Sequence, residues 1–245
     1  MRILGVIPAR FASTRFPGKP LVDILGKSMI MRVYEQAKKA SSLSHVVVAT
    51  DDARILDHVL ASGGEAVLTS DQHQSGTDRC AEVAEKLSDF DVIINIQGDE
   101  PFIDPDQINE LAACFLDGGY QLATLVKKIN FEEELFNTNT PKVVLNNQFE
   151  AVYFSRNTIP FLRNIEPKNW INQHNFYKHI GIYGYQSATL QKITNLPVSM
   201  LEKAEALEQL RWIENGFKIK AAITKKESFA IDTPEDLQRV LAHIS

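Results

Sequence analysis

The sequence predicts an α/β protein built on a mixed, mostly parallel sheet flanked by helices. Three observations carry that expectation. Strand and helix patterns alternate through the first half, as in successive βα units. The runs VVVAT before Asp51 and VIINI before Gln97 are continuously apolar, as strands covered on both faces are. These runs empty into loops rich in Gly, Pro, Asp and Arg, the edge at which open α/β sheets hold ligands. At 245 residues the chain can bury a substantial core, and it reads as one domain, 1–245.

The elements follow in order. Ile3 to Ile7 is a buried strand that breaks at Pro8 into a loop. Ser28 can cap a helix to about Ala40, with Met29, Val33 and Ala37 at helical spacing. His45 to Thr50 is the second strand, followed by a helix to about Ser62 that Gly63 and Gly64 stop. Ala66 to Leu68 is a short third strand, and SGTDR, Ser75 to Arg79, heads a helix to about Leu87. After Val92 to Ile96, a helix starts at Pro105 with Asp104 as cap, and Gly118-Gly119 ends it.

The pattern then becomes more antiparallel. Leu122 to Ile129 and Lys142 to Leu145 read as strands, and Val143 to Phe154 as a hairpin across Asn146-Asn147. Residues 155 to 177 are irregular, His179 to Tyr185 is a strand, and one long helix runs from after Pro197 to Gly216. Phe217 to Ile223 is the last strand. In IDTPEDL, Pro234 fits the first position of a final helix to about His243, with Thr233 as cap and Asp236 closing a capping box.

Composition narrows the function. Apolar and charged fractions of 44% and 23% suit a soluble enzyme, and a net charge of −5 argues against nucleic acid as a partner. No run is long enough for a membrane span, and no signal-peptide core precedes the first strand. Two cysteines, Cys80 and Cys114, form neither a disulfide framework nor a metal spacing, which fits a reducing cytoplasm.

The chemistry concentrates at strand ends. Arg10, Arg15 and Lys19 fall within ten residues, among Ser13, Pro17, Gly18 and Pro20. Cations spaced by residues that fix the backbone favour a phosphate site over a plain loop. Asp99 and Asp232 each sit beside a helix start whose cap is another residue, so neither is needed for capping. A Mg²⁺ ion between protein and nucleotide phosphates would use such a pair, as would ordinary polar loop contacts.

Gly76 allows close approach of a flat ligand, although a simple Ser75 cap explains the turn nearly as well. Glu208, Gln209 and Arg211 lie off the stripe of Ala206, Leu207, Leu210 and Ile213 and read as a solvated or ion-paired helix face. His179 could meet an anionic substrate, but a lone histidine more often only hydrogen-bonds within the fold. Gly26-Lys27-Ser28 lacks the first glycine of a P-loop, whose place Leu21 takes, and there is no GxGxxG, zinc spacing or nucleophile elbow.

Taken together, IPARFASTRFPGKPL (7 to 21), ATDD (49 to 52), SGTDR (75 to 79) and NIQGDEP (95 to 101) closely resemble the CMP-Kdo synthetases, the 3-deoxy-manno-octulosonate cytidylyltransferases of bacterial lipopolysaccharide synthesis. SRNTIPF (155 to 161), HIGIYGY (179 to 185), EQLRWIENG (208 to 216) and IDTPEDL (231 to 237) extend the likeness end to end. The resemblance implies a Rossmann-like nucleotide-diphospho-sugar transferase fold and a homodimer joined through about 140 to 175. It implies transfer of CMP from CTP to the anomeric hydroxyl of Kdo, with pyrophosphate leaving.

Carried over by motif, Arg10, Arg15 and Lys19 match the triphosphate loop, with Ser13 beside them, and Asp99 and Asp232 match the Mg²⁺ ligands. Ser75, Gly76, Arg79 and Gln97 match the region around cytosine and ribose. Arg15, Arg156, His179, Tyr183, Glu208 and Gln209 match the sugar-acid pocket. Arg10, Arg15, Lys19 and Asp99 are then the catalytic set. An 8-amino analogue of Kdo, or another acidic sugar such as a sialic acid, would use the same mechanism. A nucleotide-binding module without catalysis and a glycosyltransferase are the readings from other classes.

Overall fold

Ile3–Ala9 (β1) is apolar on both faces and lies in the interior of the sheet. In the computed structural model, which describes residues 1–12, 16–116, 119–227 and 229–244, the chain continues through a 3₁₀ turn at Lys19–Leu21 and the helix Met29–Lys38 (α1). His45–Thr50 (β2), Ala53–Ala61 (α2), Ala66–Leu68 (β3), Gly76–Lys86 (α3), Val92–Asn95 (β4) and Pro105–Ala113 (α4) follow. Next come Leu122–Lys128 (β5), Glu132–Phe136 (α5), the hairpin Lys142–Leu145 (β6) and Ala151–Ser155 (β7), Trp170–Gln173 (α6) and Tyr177–Gln186 (β8). Ser187–Thr194 (α7), Met200–Glu205 (α8), Gln209–Glu214 (α9), Ile219–Ile223 (β9) and Pro234–Ile244 (α10) complete the order.

The sheet runs β3-β2-β1-β4-β8-β5-β9, with β6 pairing β8 and β7 pairing β6. β1 is parallel to β2 and β4, in register Ile7↔Val48 and Val6↔Asn95, while β8 is antiparallel to β4 and β5. The mostly parallel α/β architecture is therefore as expected. The C-terminal ends of β1, β2 and β4 share one edge, which gathers the first loop, Asp51 and the turn Gln97 to Asp99.

Apolar side chains fill both faces. Ile30, Val33, Ile55, Val59, Ile108 and Leu111 cover one; Cys80, Val83, Leu190, Ile193, Leu210 and Trp212 cover the other. A smaller core of Ile24, Met29, Ile231, Leu237 and Val240 docks α10 on the start of α1. Burying a Leu or Ile there contributes about 1.5–3 kcal/mol. It also fixes Asp232, the neighbour of Ile231.

Caps fall largely where the spacing put them. Ser28 accepts from Met31 N, Asp104 and Gln107 form a capping box, and so do Ser75 and Asp78. Thr233 Oγ1 accepts from Asp236 N at 3.2 Å while Asp236 Oδ2 accepts from Thr233 N at 2.9 Å.

Several elements differ, among them β1, which runs through Pro8 to Ala9, and α6, which lies within the stretch expected to be irregular. The segment after Pro197 is two helices rather than one, because Ala206 takes a left-handed φ of 50°. Leu207 then turns into the core. Neither Gly nor Pro marks that break, so periodicity alone ran across it. Helices α5 and α7 occupy stretches too short for a clear 3.6-residue pattern. α4 ends at Ala113, before the Gly118-Gly119 stop, whose Gly118 lies outside the described residues. Strand β8 begins at Tyr177, two residues before the expected start.

Candidate active site

The end of β1 and the turn after β4 touch. A Cβ on Gly98 would lie 2.5 Å from the Pro8 carbonyl oxygen, so only glycine lets the two backbones pass. Gly18, at φ 71°, donates its N–H to the Phe11 carbonyl at 3.0 Å and closes the loop that launches Lys19. Ile231 N–H bonds to the Asp99 carbonyl at 2.9 Å and brings the segment before α10 alongside.

These three connections converge on one ammonium. Lys19 Nζ donates to Asp99 Oδ2 at 2.8 Å and to Asp232 Oδ1 at 3.1 Å. The three residues are distant in sequence, and all sit at the ligand-binding edge of the sheet. Arg10 is exposed just past the end of β1. Ser13 and Arg15, also expected here, lie outside the described residues.

Along the same edge, Gly76 packs against Pro8 and Asn95, with contacts of 3.5 and 3.6 Å from the position of an added Cβ. Ser75 caps α3, and its N–H is taken by Asp78. Arg79 is enclosed at this edge. It is 1% exposed, pairs with Asp51 Oδ2 at 2.8 Å and donates to Thr69 Oγ1 and the Ser70 carbonyl. Its guanidinium ties the residue after β2 to the start of the β3–α3 loop.

Gln97 Nε2 donates to the Gly181 carbonyl at 2.7 Å and couples the β4 turn to β8. Beyond it lies a second group. Tyr183, Tyr185 and Trp212 pack ring against ring, with Trp212 edge-on to both tyrosines at 5.1 and 5.7 Å. Among the described residues, Gln209 Nε2 and Trp212 Nε1 are buried without a hydrogen-bond partner, while the Tyr183 hydroxyl meets Thr124 and that of Tyr185 meets Thr77 and Asn95. Each such group costs about 1–3 kcal/mol unless something bonds to it. The cluster is therefore suited to receive a polar ligand or water.

Arg211 is ion-paired to Glu202 at 2.6 Å, as the spacing allows, but Glu208 and Gln209 do not form a solvated or ion-paired face. The turn at Ala206 directs Glu208 inward, where Oε2 accepts from Thr77 Oγ1 at 2.7 Å and burial raises its pKa. Gln209 is 4% exposed.

His179 is partly enclosed between Phe154, Tyr183 and Thr124, whose hydroxyl is 3.0 Å from Nε2. Burial pushes its pKa down to about 3. At neutral pH the ring is uncharged, so it offers a hydrogen bond and not a cation to an anionic ligand.

Arg156 stands apart from the tyrosine cluster. Its Nε donates to the Glu205 carbonyl at 2.7 Å and its Nη2 to the Ala206 carbonyl at 3.1 Å, so it clamps the break between α8 and α9. It shares a cavity of about 1120 Å³ with Asn137, Thr140, Asp232 and Thr233. The partners Asp51, Thr77, Thr124 and Glu205 were not singled out from the sequence. Asp51, within the ATDD run, and Thr77, within SGTDR, had a signal there.

A sequence profile described as cytidylyltransferase matches residues 4–221. The chain belongs to the cytidylyltransferase family. It is 57% identical over 250 residues to a protein of Parabacteroides distasonis named 3-deoxy-manno-octulosonate cytidylyltransferase, with 100% of this chain and 99% of the relative covered. It is 55% identical to a protein of the same name from Bacteroides thetaiotaomicron, with 97% and 96% covered. A solved structure of CMP:2-keto-3-deoxy-manno-octonic acid synthetase complexed with CTP superposes with a TM-score of 0.93 at 42% identity, covering 100% of this chain and 98% of that one. No helix among the described residues is long and apolar enough to cross a membrane.

Proposed function

We propose that the chain transfers CMP from CTP to the anomeric hydroxyl of Kdo, releasing pyrophosphate and supplying CMP-Kdo for lipopolysaccharide biosynthesis. The observation that carries this reading is the junction of Lys19, Asp99 and Asp232 at the sheet edge, in a chain so similar to proteins of that name.

Phosphoryl transfer depends mainly on alignment and on neutralising charge. Lys19 and Arg10 offset the triphosphate, with Arg15 and Ser13 assigned to the same loop. The Ser75–Gly76 turn and Gln97 border the base and ribose. Arg79 braces the approach to that turn through Thr69 and Ser70.

The donor set fits Mg²⁺. Asp99 and Asp232 each place a carboxylate oxygen on one shared cationic nitrogen, so both reach a single point with the hard oxygen ligands that this ion takes. When bound, Mg²⁺ supplies Lewis-acid stabilisation of charge on the phosphate oxygens.

The acid sugar is assigned to the cluster around Tyr183, Glu208 and Gln209, whose unpartnered donors suit a molecule with many hydroxyls. His179 orients as a neutral ring, and Arg156, within reach of the Asp232 cavity, offers a guanidinium to the sugar carboxylate. Exposed Phe136 and Phe161, on a cluster with Trp170 and Phe176, support a homodimer through about 140 to 175. The free thiols Cys80 and Cys114 fit action in the cytoplasm.

Pyrophosphate release from CTP and Mg²⁺ with Kdo, 8-amino-Kdo or N-acetylneuraminate tests the reading. Release with Kdo is expected. Preference for the amino sugar would move the specificity and keep the mechanism. CTP binding without turnover on any of the three would favour a nucleotide-binding module.

A further inference from the structure

The β3–α3 loop, residues 69–75, is exposed over most of its length yet gripped from α3. Glu82 is the centre of that grip. Its Oε2 accepts the Ser70 N–H at 2.8 Å and lies 2.5 Å from His73 Nε2. Its Oε1 pairs with Lys86 at 2.7 Å, and Lys86 in turn donates to the Leu68 carbonyl. Arg79, one turn earlier on α3, holds Thr69 Oγ1 and the Ser70 carbonyl. One carboxylate oxygen therefore joins the backbone at Ser70 to the ring of His73, and the loop between them ends at Ser75 and Gly76, beside Pro8.

We propose that Glu82 is a positioning residue for nucleotide binding, fixing through Ser70 and His73 the loop that delivers the Ser75–Gly76 turn to the base end of the CTP site. The inference rests on the cytidylyltransferase reading above. Glu82 touches neither the Lys19 junction nor the tyrosine cluster, so its effect has to pass through the loop. Without the carboxylate, residues 70–74 keep Arg79's hold at one end and the Ser75 cap at the other, and the nucleotide must order what lies between. Burial would raise the Glu82 pKa, but Lys86, the Ser70 N–H and His73 together hold it at about 2, so the clamp stays charged at working pH.

The test is Kdo-dependent pyrophosphate release by Glu82→Gln and His73→Gln, with CTP and Kdo titrated separately and CTP binding measured by calorimetry. Glu82→Gln keeps the side-chain shape and loses the ion pair with Lys86 and the charge on the bond to His73. The expected result is a KM for CTP raised about tenfold, with kcat and the KM for Kdo changed by less than about twofold. Glu82→Asp should recover part of the CTP affinity.

An unchanged KM and Kd for CTP in Glu82→Gln would overturn the proposal. So would a parallel loss in kcat and both KM values together with a lowered melting temperature, which would make Glu82 a purely structural residue. A wild type that neither binds nor turns over CTP would refute the functional reading itself, before any variant is compared.

Discussion

Removing the Lys19 ammonium leaves two carboxylates facing each other. At 2.8 and 3.1 Å from one nitrogen, the oxygens of Asp99 and Asp232 are no farther apart than the sum of those contacts, 5.9 Å. At that separation two unit charges repel by about 0.7 kcal/mol at an effective dielectric of 80 and about 3 kcal/mol at 20. The Asp99 and Asp232 side chains are 26% and 37% exposed, so solvent screening places the cost near about 1 kcal/mol.

Lys19→Met should therefore lower the melting temperature by about 2–4 °C in a chain of this size. Because the lost charge is a cation, Mg²⁺ should restore the variant more than it raises the wild type. Turnover should fall about 100- to 1,000-fold, the typical effect of losing one preorganised group that stabilises transition-state charge. The assay is a melting curve with and without Mg²⁺, followed by pyrophosphate release. A variant that melts at or above the wild-type temperature without Mg²⁺, or that Mg²⁺ stabilises no more than the wild type, would refute the shared-cation geometry.

Three further outcomes follow from the same edge of the sheet. Gly98→Ala forces a Cβ against the Pro8 carbonyl and should cost about 1–3 kcal/mol in urea unfolding, with kcat falling more than CTP affinity because Asp99 is the next residue. Near-wild-type stability would contradict the close approach. Arg79→Met strips the partner from Asp51 and should destabilise by about 3–5 kcal/mol; a loss below about 1 kcal/mol would argue that the pair is not a support.

Burial depresses the folded pKa of His179 to about 3 from the ordinary histidine value of about 6.5. Between those values the unfolded chain takes up a proton that the folded one does not, so stability falls as pH drops through that window. His179→Gln should flatten the fall by up to about 1.4 kcal/mol per pH unit, and an unchanged slope would count against a neutral, partly enclosed ring.

The βα alternation of the first half was legible because each element carries its own signal: a continuous apolar run for β2 and β4, a Ser or Asp cap for α1, α3 and α4. Asp99 and Asp232 were legible for a related reason. Asp104 and Thr233 visibly capped the adjacent helices, which left the other acids without a local task. The Ala206 break was not legible, because its left-handed backbone is stabilised by distant groups, Arg156 on the carbonyls of Glu205 and Ala206 and Thr77 on Glu208.

That break also decides the fate of Glu208 and Gln209, which read as a solvated or ion-paired face until the turn directs them inward. Arg79 shows the converse limit. Its motif places it beside a nucleotide, but its burial against Asp51 depends on how the β2 end meets α3, which spacing within SGTDR does not encode.

The most direct measurement is pyrophosphate release with CTP, Kdo and Mg²⁺, run side by side for the wild type and Asp99→Asn. The expected result is wild-type release that requires both CTP and Kdo, reduced at least about 100-fold when the carboxylate becomes an amide. Equal rates in the two proteins, or wild-type release that ignores Kdo, would contradict the assignment.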